Sequence, residues 1–303
     1  MSLLVAHLLT IIVSIFSLVA VSVAGAYGQS SKADSLLRAI DQVSDGMAKA
    51  QLQLELFKEQ AWEEESESPN LALLDQVIQQ AQQEKLTALL TEAYLEKAYY
   101  YHYIQKSEKD SVYYFLSKSL EVSQQYEYRK LMPQILFHLG NFFLFSRRDQ
   151  VDSALYYYSQ SLEANEPTID TLYKEKVIGD MAIYYYVIGD HQKGLDYSLQ
   201  AIALDPDDPV ALNTAGICLD NLGRYAEAIE YYLKGLKITK GEDSWEPVFL
   251  INLGRSYNLQ KEYEKALPYL HEAKETFRKN NSHHLVITLE YLGLSLTELG
   301  QYD

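Results

Sequence analysis

Residue types that catalyse reactions or bind metals occur in this chain, but not at the spacings that such chemistry needs. Six histidines follow the N-terminal segment: His102, His138, His191, His271, His283 and His284. No two are spaced i, i+4 to hold a metal on one helix, and there is no HExxH, CxxC or glycine-rich phosphate loop. Asp205, Asp207 and Asp208 supply too few spaced oxygen donors for an EF-hand. We therefore expect no enzyme activity, no metal site and no cofactor.

Charge and cysteine usage restrict the partners and the redox chemistry. The formal net charge is −16, so the chain repels phosphates, and we expect this region to bind no nucleic acid. The same field favours basic ligands. Cys218 is the only cysteine, which excludes an internal disulfide, and its place on a predicted helix indicates a buried small apolar side chain.

The N-terminal segment predicts export. Its first 28 residues contain no Asp, Glu, Lys or Arg, and a nearly unbroken apolar run from Leu8 to Val23 ends in small residues. This pattern is typical of a signal peptide over residues 1–28, cleaved after Ala26 or Gly28. The run is also long enough for an uncleaved signal anchor. We expect a periplasmic or envelope-associated protein in a bacterium, or a secreted one elsewhere, with membrane contact only through this segment or a part beyond Asp303.

Residues 29–69 are predicted to form an N-terminal helical segment and an acidic linker. Apolar residues recur at helical spacing in two stretches that are separated near residues 44–46. The linker, residues 62–69, reads WEEESESP and ends in an X-Pro step that disfavours a helix. Residues 70–303 then carry a pattern of their own.

That pattern is a degenerate sequence motif in which a small residue follows a large apolar one and precedes an aromatic residue or Leu. The clearest copy contains Leu250, Leu253, Gly254 and Tyr257, with Ala266 after a turn. The small residues of the successive first helices are Ala98, Gly140, Ala182, Gly216, Gly254 and Gly293, which lie 42, 42, 34, 38 and 39 residues apart. Small residues of the following helices include Ala154, Ala228 and Ala266.

Small residues at this spacing permit close packing of two helices in a hairpin, because Gly or Ala lets the helix axes approach where they cross. A recurring hairpin cannot bury its apolar face alone, and neighbouring copies must stack. We therefore predict an all-α fold, an α-α superhelical solenoid of stacked antiparallel helical hairpins. The last copy, which ends at Asp303, is an incomplete repeat.

These residues resemble the tetratricopeptide repeat (TPR) family, from about Thr91 to Asp303, and Ala201 with Pro206 closes one copy as the family pattern requires. The resemblance implies a concave groove on the first helices that binds a protein or peptide. The residues that it places there are Tyr99, His102, Asn141, Ile183, Tyr186, Asn213, Ile217, Asp220, Ile251, Arg255 and Asn258. The positions at which family members clamp a carboxylate tail with Lys hold no basic residue here, which disfavours an acidic C-terminal tail.

The chain has 26 tyrosines, several of them in runs that face three directions on a helix. The helical phase predicts that Tyr101, Tyr158 and Tyr185 point into the core. Most of the tyrosines are expected to fill hairpin interfaces with the hydroxyl reaching water.

Together these features predict a non-catalytic, extracytoplasmic scaffold that binds proteins or peptides. Its architecture resembles exported bacterial TPR sensor and regulator proteins, which would make it the sensory N-terminal region of a longer membrane-bound signalling or transcription regulator. The alternative is an envelope assembly or adaptor protein that organises other proteins without signalling. Leu289, Leu292, Leu296 and Leu299 form an apolar stripe on the last helix that a dimer could cover.

Overall fold

A computed structural model describes residues 32–62, 70–104, 108–164, 171–241, 244–279 and 284–301. The predicted signal peptide, residues 1–28, and linker residues 63–69 lie outside the described part. All regular structure in the described ranges is helical, which confirms the all-α class. No described helix is both long and apolar enough to cross a bilayer.

Fourteen α-helices follow one another through the described part of the chain. They are α1 (Lys32–Gln42), α2 (Gly46–Trp62), α3 (Leu71–Gln83), α4 (Thr87–Tyr99), α5 (Lys109–Gln125), α6 (Met132–Ser146), α7 (Asp152–Ala164), α8 (Thr171–Val187), α9 (His191–Leu204), α10 (Pro209–Asn221), α11 (Tyr225–Ile238), α12 (Glu246–Leu259), α13 (Tyr263–Lys279) and α14 (His284–Glu298). A π-helix, Tyr100–Ile104, continues α4, and two single 3-10 turns, Arg129–Leu131 and Arg148–Gln150, precede α6 and α7.

The helices form two compact units, residues 1–135 and residues 136–303. In the first unit, Leu54 and Phe57 of α2 share one core with Leu74 of α3 and Leu90 of α4. The helices on both sides of residue 69 therefore share one core. The reason is that the apolar side chains of α2 pack against α3, so the N-terminal segment and the first predicted hairpin bury their faces together.

The second unit contains the stacked hairpins. Each helix from α8 to α14 packs against the next one along the chain. In addition, the alternate helices α8, α10, α12 and α14 contact one another in series. This pairing of near neighbours and next-nearest neighbours is that of a helical solenoid. We call α6, α8, α10, α12 and α14 the first helices, and α7, α9, α11 and α13 the second helices.

Three glycines on the first helices lie directly against a large side chain of the second helix that follows. A Cβ atom at Gly140 or Gly216 would meet the ring of Tyr158 or Tyr232, and one at Gly254 would meet the Leu270 side chain. Ala182 of the first helix α8 and the small residues of the second helices, Ala154, Ala228 and Ala266, are fully buried, and Ala98 of α4 is 1% exposed. Gly293 is exposed, and a Cβ atom there would have no neighbour within 4 Å.

The helix boundaries follow local chemistry. Asp208 caps α10, accepting hydrogen bonds from the backbone N–H groups of Val210 (2.9 Å) and Ala211 (3.3 Å), with Pro209 at the first helical position. Gly223 follows α10 with a φ of +75°, in the left-handed region that glycine adopts without strain.

One of the three tyrosines that were predicted to point into the core does so, and the other two do not. Tyr158 is fully buried as expected, but in α8 it is Tyr184 that is buried, at 3% exposure. Tyr185 is half-buried and stacks on Tyr197 with ring centroids 5.2 Å apart. Tyr101 is also only half-buried, because the chain there forms the π-helix. Packing explains why Tyr184 is the buried residue. It lies two residues after the small anchor Ala182, on the side of α8 that contacts the preceding helix α7, and its hydroxyl donates to Asp152 Oδ1 at 3.0 Å.

Cys218 occupies the same position in the next first helix and has no exposed surface. A Cβ atom at Gly194 of α9 would come within 2.8 Å of its sulfur. Burial raises the pKa of the thiol to about 12, so the side chain stays protonated. Cys218 acts as a small apolar residue.

Candidate functional site

The predicted groove residues divide between the two units. Tyr99 and His102 belong to the first unit, where the Tyr99 hydroxyl accepts a hydrogen bond from Gln134 (2.6 Å) and His102 is exposed on the π-helix. The other nine belong to the second unit, on α6, α8, α10 and α12. The helices α8, α10 and α12 contact one another in series, and the resemblance implies that their groove residues share one surface. We call this surface of the second unit the first-helix face.

Six of these nine side chains are half-buried. They are Asn141, Ile183, Tyr186, Asn213, Ile217 and Arg255. Apolar, aromatic, amide and cationic side chains therefore occur together among them. This mixture can contact the side chains of an extended peptide and hydrogen-bond to its backbone.

The other three, Asp220, Ile251 and Asn258, are buried, with 4%, 7% and 6% of their surface exposed. Little of their surface is therefore open to a ligand. The Asp220 carboxylate accepts hydrogen bonds from the hydroxyls of Ser256 (2.8 Å) and Tyr232 (3.1 Å). Burial raises its pKa, whereas the bonds from Ser256 and Tyr232 and the nearby charge of Arg255 act in the opposite direction.

Asn258 repeats this arrangement one hairpin later. Its amide donates to the Tyr291 carbonyl (2.9 Å), and its Oδ1 accepts from the Ser295 hydroxyl (2.6 Å). Asp220 and Asn258 lie four residues after Gly216 and Gly254, and their serine partners lie two residues after the next glycines. The two polar groups thus join α10 to α12 and α12 to α14.

The polar groups that remain open on the face belong to Asn213, Asn252 and Arg255. Asn252 Nδ2 donates to Asn213 Oδ1 at 2.8 Å. This bond leaves Asn213 Nδ2 and Asn252 Oδ1 without a hydrogen bond to any described residue. Arg255 likewise makes no ion pair with a described residue, although its charge acts on Asp220 and Tyr232.

Sequence reasoning missed Asp180 and Gly179 of α8. Asp180 is half-buried and lies near Asn141, whose Oδ1 accepts from the Tyr158 hydroxyl at 2.5 Å. Burial raises the pKa of Asp180 to about 7. The sequence did contain a signal for Asp180. It lies two residues before the small anchor Ala182, and the matching position of α12, two residues before Gly254, also holds a polar residue, Asn252.

Among the described residues, no three His, Cys, Asp or Glu side chains are grouped so that they could hold a metal ion.

Comparison with known proteins identifies the repeat. Models of the tetratricopeptide repeat match residues 197–230 and 249–282, both within the predicted array. These two matches confirm the resemblance to the tetratricopeptide repeat family. No curated protein sequence matches the chain.

Solved structures with the same fold are distant in sequence. PilW, a type IV pilus biogenesis factor, is 17% identical with a TM-score of 0.61, over 82% of this chain and 99% of PilW. The signal transduction ATPase PH0952 from Pyrococcus horikoshii, which has a TPR sensor, is 19% identical with a TM-score of 0.61, over 88% of this chain and 44% of that one. Apo RapI is 22% identical with a TM-score of 0.52, over 56% of this chain and 65% of RapI. The chain thus matches less than two thirds of RapI, and these likenesses show the fold alone.

Proposed function

We propose that the chain is a non-catalytic scaffold whose first-helix face holds an extended segment of a partner protein. The observation that carries this proposal is the set of unused hydrogen-bonding groups on a half-buried surface. Asn213 Nδ2 and Asn252 Oδ1 are a donor and an acceptor on neighbouring helices whose other amide atoms are already bonded to each other, 2.8 Å apart. A pair fixed in this way presents its remaining atoms in a defined direction.

An extended peptide offers a complementary set. A backbone carbonyl can accept from Asn213 Nδ2, and a backbone N–H can donate to Asn252 Oδ1. Ile183 and Ile217 supply half-buried apolar surface for the side chains that alternate along the peptide. Arg255, which has no ion pair among the described residues, can donate hydrogen bonds to a carboxylate or carbonyl of the same segment.

We further propose that this scaffold acts outside the cytoplasm as the sensory part of a longer signalling or transcription regulator, with an envelope adaptor as the alternative. The support is the uncharged N-terminal segment with its apolar run from Leu8 to Val23. N-terminal sequencing of the chain recovered from expressing cells tests export. A start at Tyr27 or Gln29 supports cleavage, an intact start in the membrane fraction supports an anchor, and an intact start in the cytosol contradicts export.

The binding proposal is tested with peptides selected by the purified protein from a phage-displayed random library. We expect selected peptides to lose affinity by about five- to tenfold with Asn213→Ala, because one hydrogen bond is removed. Arg255→Ala should weaken peptides that carry an acidic residue by a similar factor. Lys237→Ala is the matched control, since it removes the same charge from an exposed position of the second helix α11.

Binding should be unchanged in that control. If no peptide is selected, or if the selected peptides bind both first-helix variants as tightly as the unsubstituted protein, the first-helix face is not the binding surface. Circular dichroism of each variant verifies that the helices are retained.

A further inference from the structure

Two rows of mostly apolar side chains cross the first helices of the second unit, one on each side of the amides of Asn213 and Asn252. On α10, Val210 lies three residues before Asn213 and Ile217 four residues after it, so the three side chains share one helix face. The same register recurs on α12 and α14. Six residues before the small anchors stand Val210, Val248 and Ile287, which we call the N-terminal row, and one residue after the anchors stand Ile217, Arg255 and Leu294, the C-terminal row.

The hydrogen bonds of α12 show which side of the helix the rows occupy. Asn252 donates back to Asn213 of α10 at 2.8 Å, and Asn258 donates forward to the Tyr291 carbonyl of α14 at 2.9 Å. Arg255 is three residues from each of these two asparagines of α12. Its side chain therefore points between the two neighbouring first helices, and the residue seven positions earlier, in the N-terminal row, points the same way.

Solvent reaches both rows. Ile287 and Leu294 are 38% and 45% exposed, and the other four members are half-buried. Between the rows lie Asn213 and Asn252, which are also half-buried and are bonded to each other. The face is therefore a polar strip with a mostly apolar row on each side.

The spacing of the rows restricts the conformation of a segment that crosses them. Axes of packed helices are about 8–10 Å apart, so each row presents one side chain about every 8–10 Å. A β-strand places side chains on one side at every second residue, about 6.7 Å apart, which does not match. A polyproline II segment places them on one side at every third residue, about 9.3 Å apart, which does match. An α-helical segment would leave the polar strip unused, because its backbone groups are bonded internally.

We propose that the segment bound on this face is a polyproline II helix of about nine residues, which crosses α10, α12 and α14 with three residues to each helix. This inference rests on the proposed function, since it specifies the conformation and sequence of the bound segment. In each set of three, one side chain packs on the N-terminal row, the next packs on the C-terminal row, and the last faces solvent. The backbone lies over Asn213 and Asn252, and its polar groups are free to bond to them because polyproline II has no internal hydrogen bonds.

Arg255 determines the charge of one ligand residue. It is the one charged member of the two rows, and it makes no ion pair with a described residue. A carboxylate at the matching position of the ligand can form a charge-assisted hydrogen bond with it. The segment therefore has pairs of adjacent apolar residues separated by single outward residues, with Asp or Glu in place of one apolar residue of the middle pair. Proline suits the outward positions, because its φ is fixed near the polyproline II value.

The test of the conformation uses the peptides selected on the purified protein as described above, with each position replaced in turn by Ala and by Pro. We expect Ala to weaken binding about tenfold at two adjacent positions out of every three, where an apolar contact is lost, and about twofold or less at the third. At the third positions Pro should leave affinity unchanged or raise it by up to about fivefold, because it preorganises the segment.

A charge exchange tests the position of the acidic residue. Its replacement by Lys should weaken binding about tenfold, and Arg255→Glu should restore most of the lost affinity. Lys237→Glu is the matched control, because it makes a similar change of charge at an exposed position of the second helix α11 and should restore nothing. Circular dichroism verifies that both variants retain their helices.

The outcomes separate the two proposals. Sensitive positions that recur at every second residue, or at i, i+4 and i+7, would overturn the polyproline II segment and leave the binding function standing. Loss of binding with Pro at the third positions would also overturn it, and a Lys peptide that Arg255→Glu does not restore would overturn the acidic contact. Peptides that are indifferent to Asn213→Ala and Arg255→Ala would overturn both proposals. The Ala and Pro scans use the unsubstituted protein, so they remain informative if Arg255→Glu folds poorly.

Discussion

At Gly216 there is no room for a single methyl group, because the ring of Tyr232 lies where a Cβ atom would stand. The ring is fully buried, and its hydroxyl donates to Asp220, so it cannot move aside without losing that bond. Gly140 stands in the same relation to Tyr158. The hairpins therefore depend on individual glycines that accept an aromatic ring against the helix backbone.

This relation predicts opposite effects for two glycine substitutions in neighbouring first helices. Gly216→Ala should lower the free energy of unfolding by about 1–3 kcal/mol, because the added methyl overpacks the contact with Tyr232. Gly179→Ala should raise it by about 0.5–1 kcal/mol, because alanine favours the helix and its Cβ enters open space. Urea titrations followed by circular dichroism measure both changes. Equal effects at the two positions would show that the glycine contact does not set the packing.

The roles of residues that pack within one hairpin could be predicted from the sequence. The roles of residues that form hydrogen bonds between hairpins could not. The small anchors and the burial of Cys218 follow from helical period and residue size. Asp220 and Asn258 were expected to face a ligand. The family pattern indicates the side of the helix on which they lie, but it does not indicate that side chains of the next first helix contact them. Ser256 and Ser295 carried no signal of their own, since a serine in a helix has several possible partners. Asp180 was missed for the same reason.

At the scale of the helices, a polar group joins each first helix to the next at two successive junctions. Between α10 and α12 it is Asp220 with Ser256 at 2.8 Å, and between α12 and α14 it is Asn258 with Ser295 at 2.6 Å. All four side chains are buried. A buried polar pair of this kind fixes the register of the two helices, because any slip leaves unsatisfied groups away from water.

A double-mutant cycle tests this coupling. Asp220→Ala and Ser256→Ala should each destabilise the protein, and the double variant should lose less than their sum by about 1–2 kcal/mol, since both changes remove one interaction. The control cycle combines Asp220→Ala with Thr276→Ala, whose hydroxyl bonds to the Glu272 carbonyl of its own helix. That pair should be additive. Additivity in the first cycle would contradict a direct role for the hydrogen bond in stacking.

Element boundaries were largely predictable, because the signals are local. Asp208 with Pro209 starts α10 and Gly223 ends it, as the residue types indicate. The helical period alone did not predict which tyrosine of α8 is buried. Three consecutive tyrosines point in three directions around the helix, and the contact of Tyr184 with Asp152 of α7 determines which one faces the core. The common core of α2 and α3 was also hidden, since a charged linker separates the two helices in sequence.

At the scale of the whole molecule, the second unit is a stack of hairpins whose last described helix, α14, is covered on one side only. Val286, Leu289 and Leu294 are 61%, 47% and 45% exposed. A Cβ atom at Gly293 would have no neighbour within 4 Å. The dimer that the sequence suggested for this face stays a prediction, as does export through residues 1–28.

The central claim is that a partner segment binds along the first helices of the second unit. Hydrogen exchange of the purified protein, with and without a saturating selected peptide, tests this claim most directly, because bound segments slow the opening of the helices that they contact. The account predicts added protection in α8, α10 and α12, with α9, α11 and α13 little changed. Protection concentrated in α9, α11 and α13, or confined to the first unit, would contradict it.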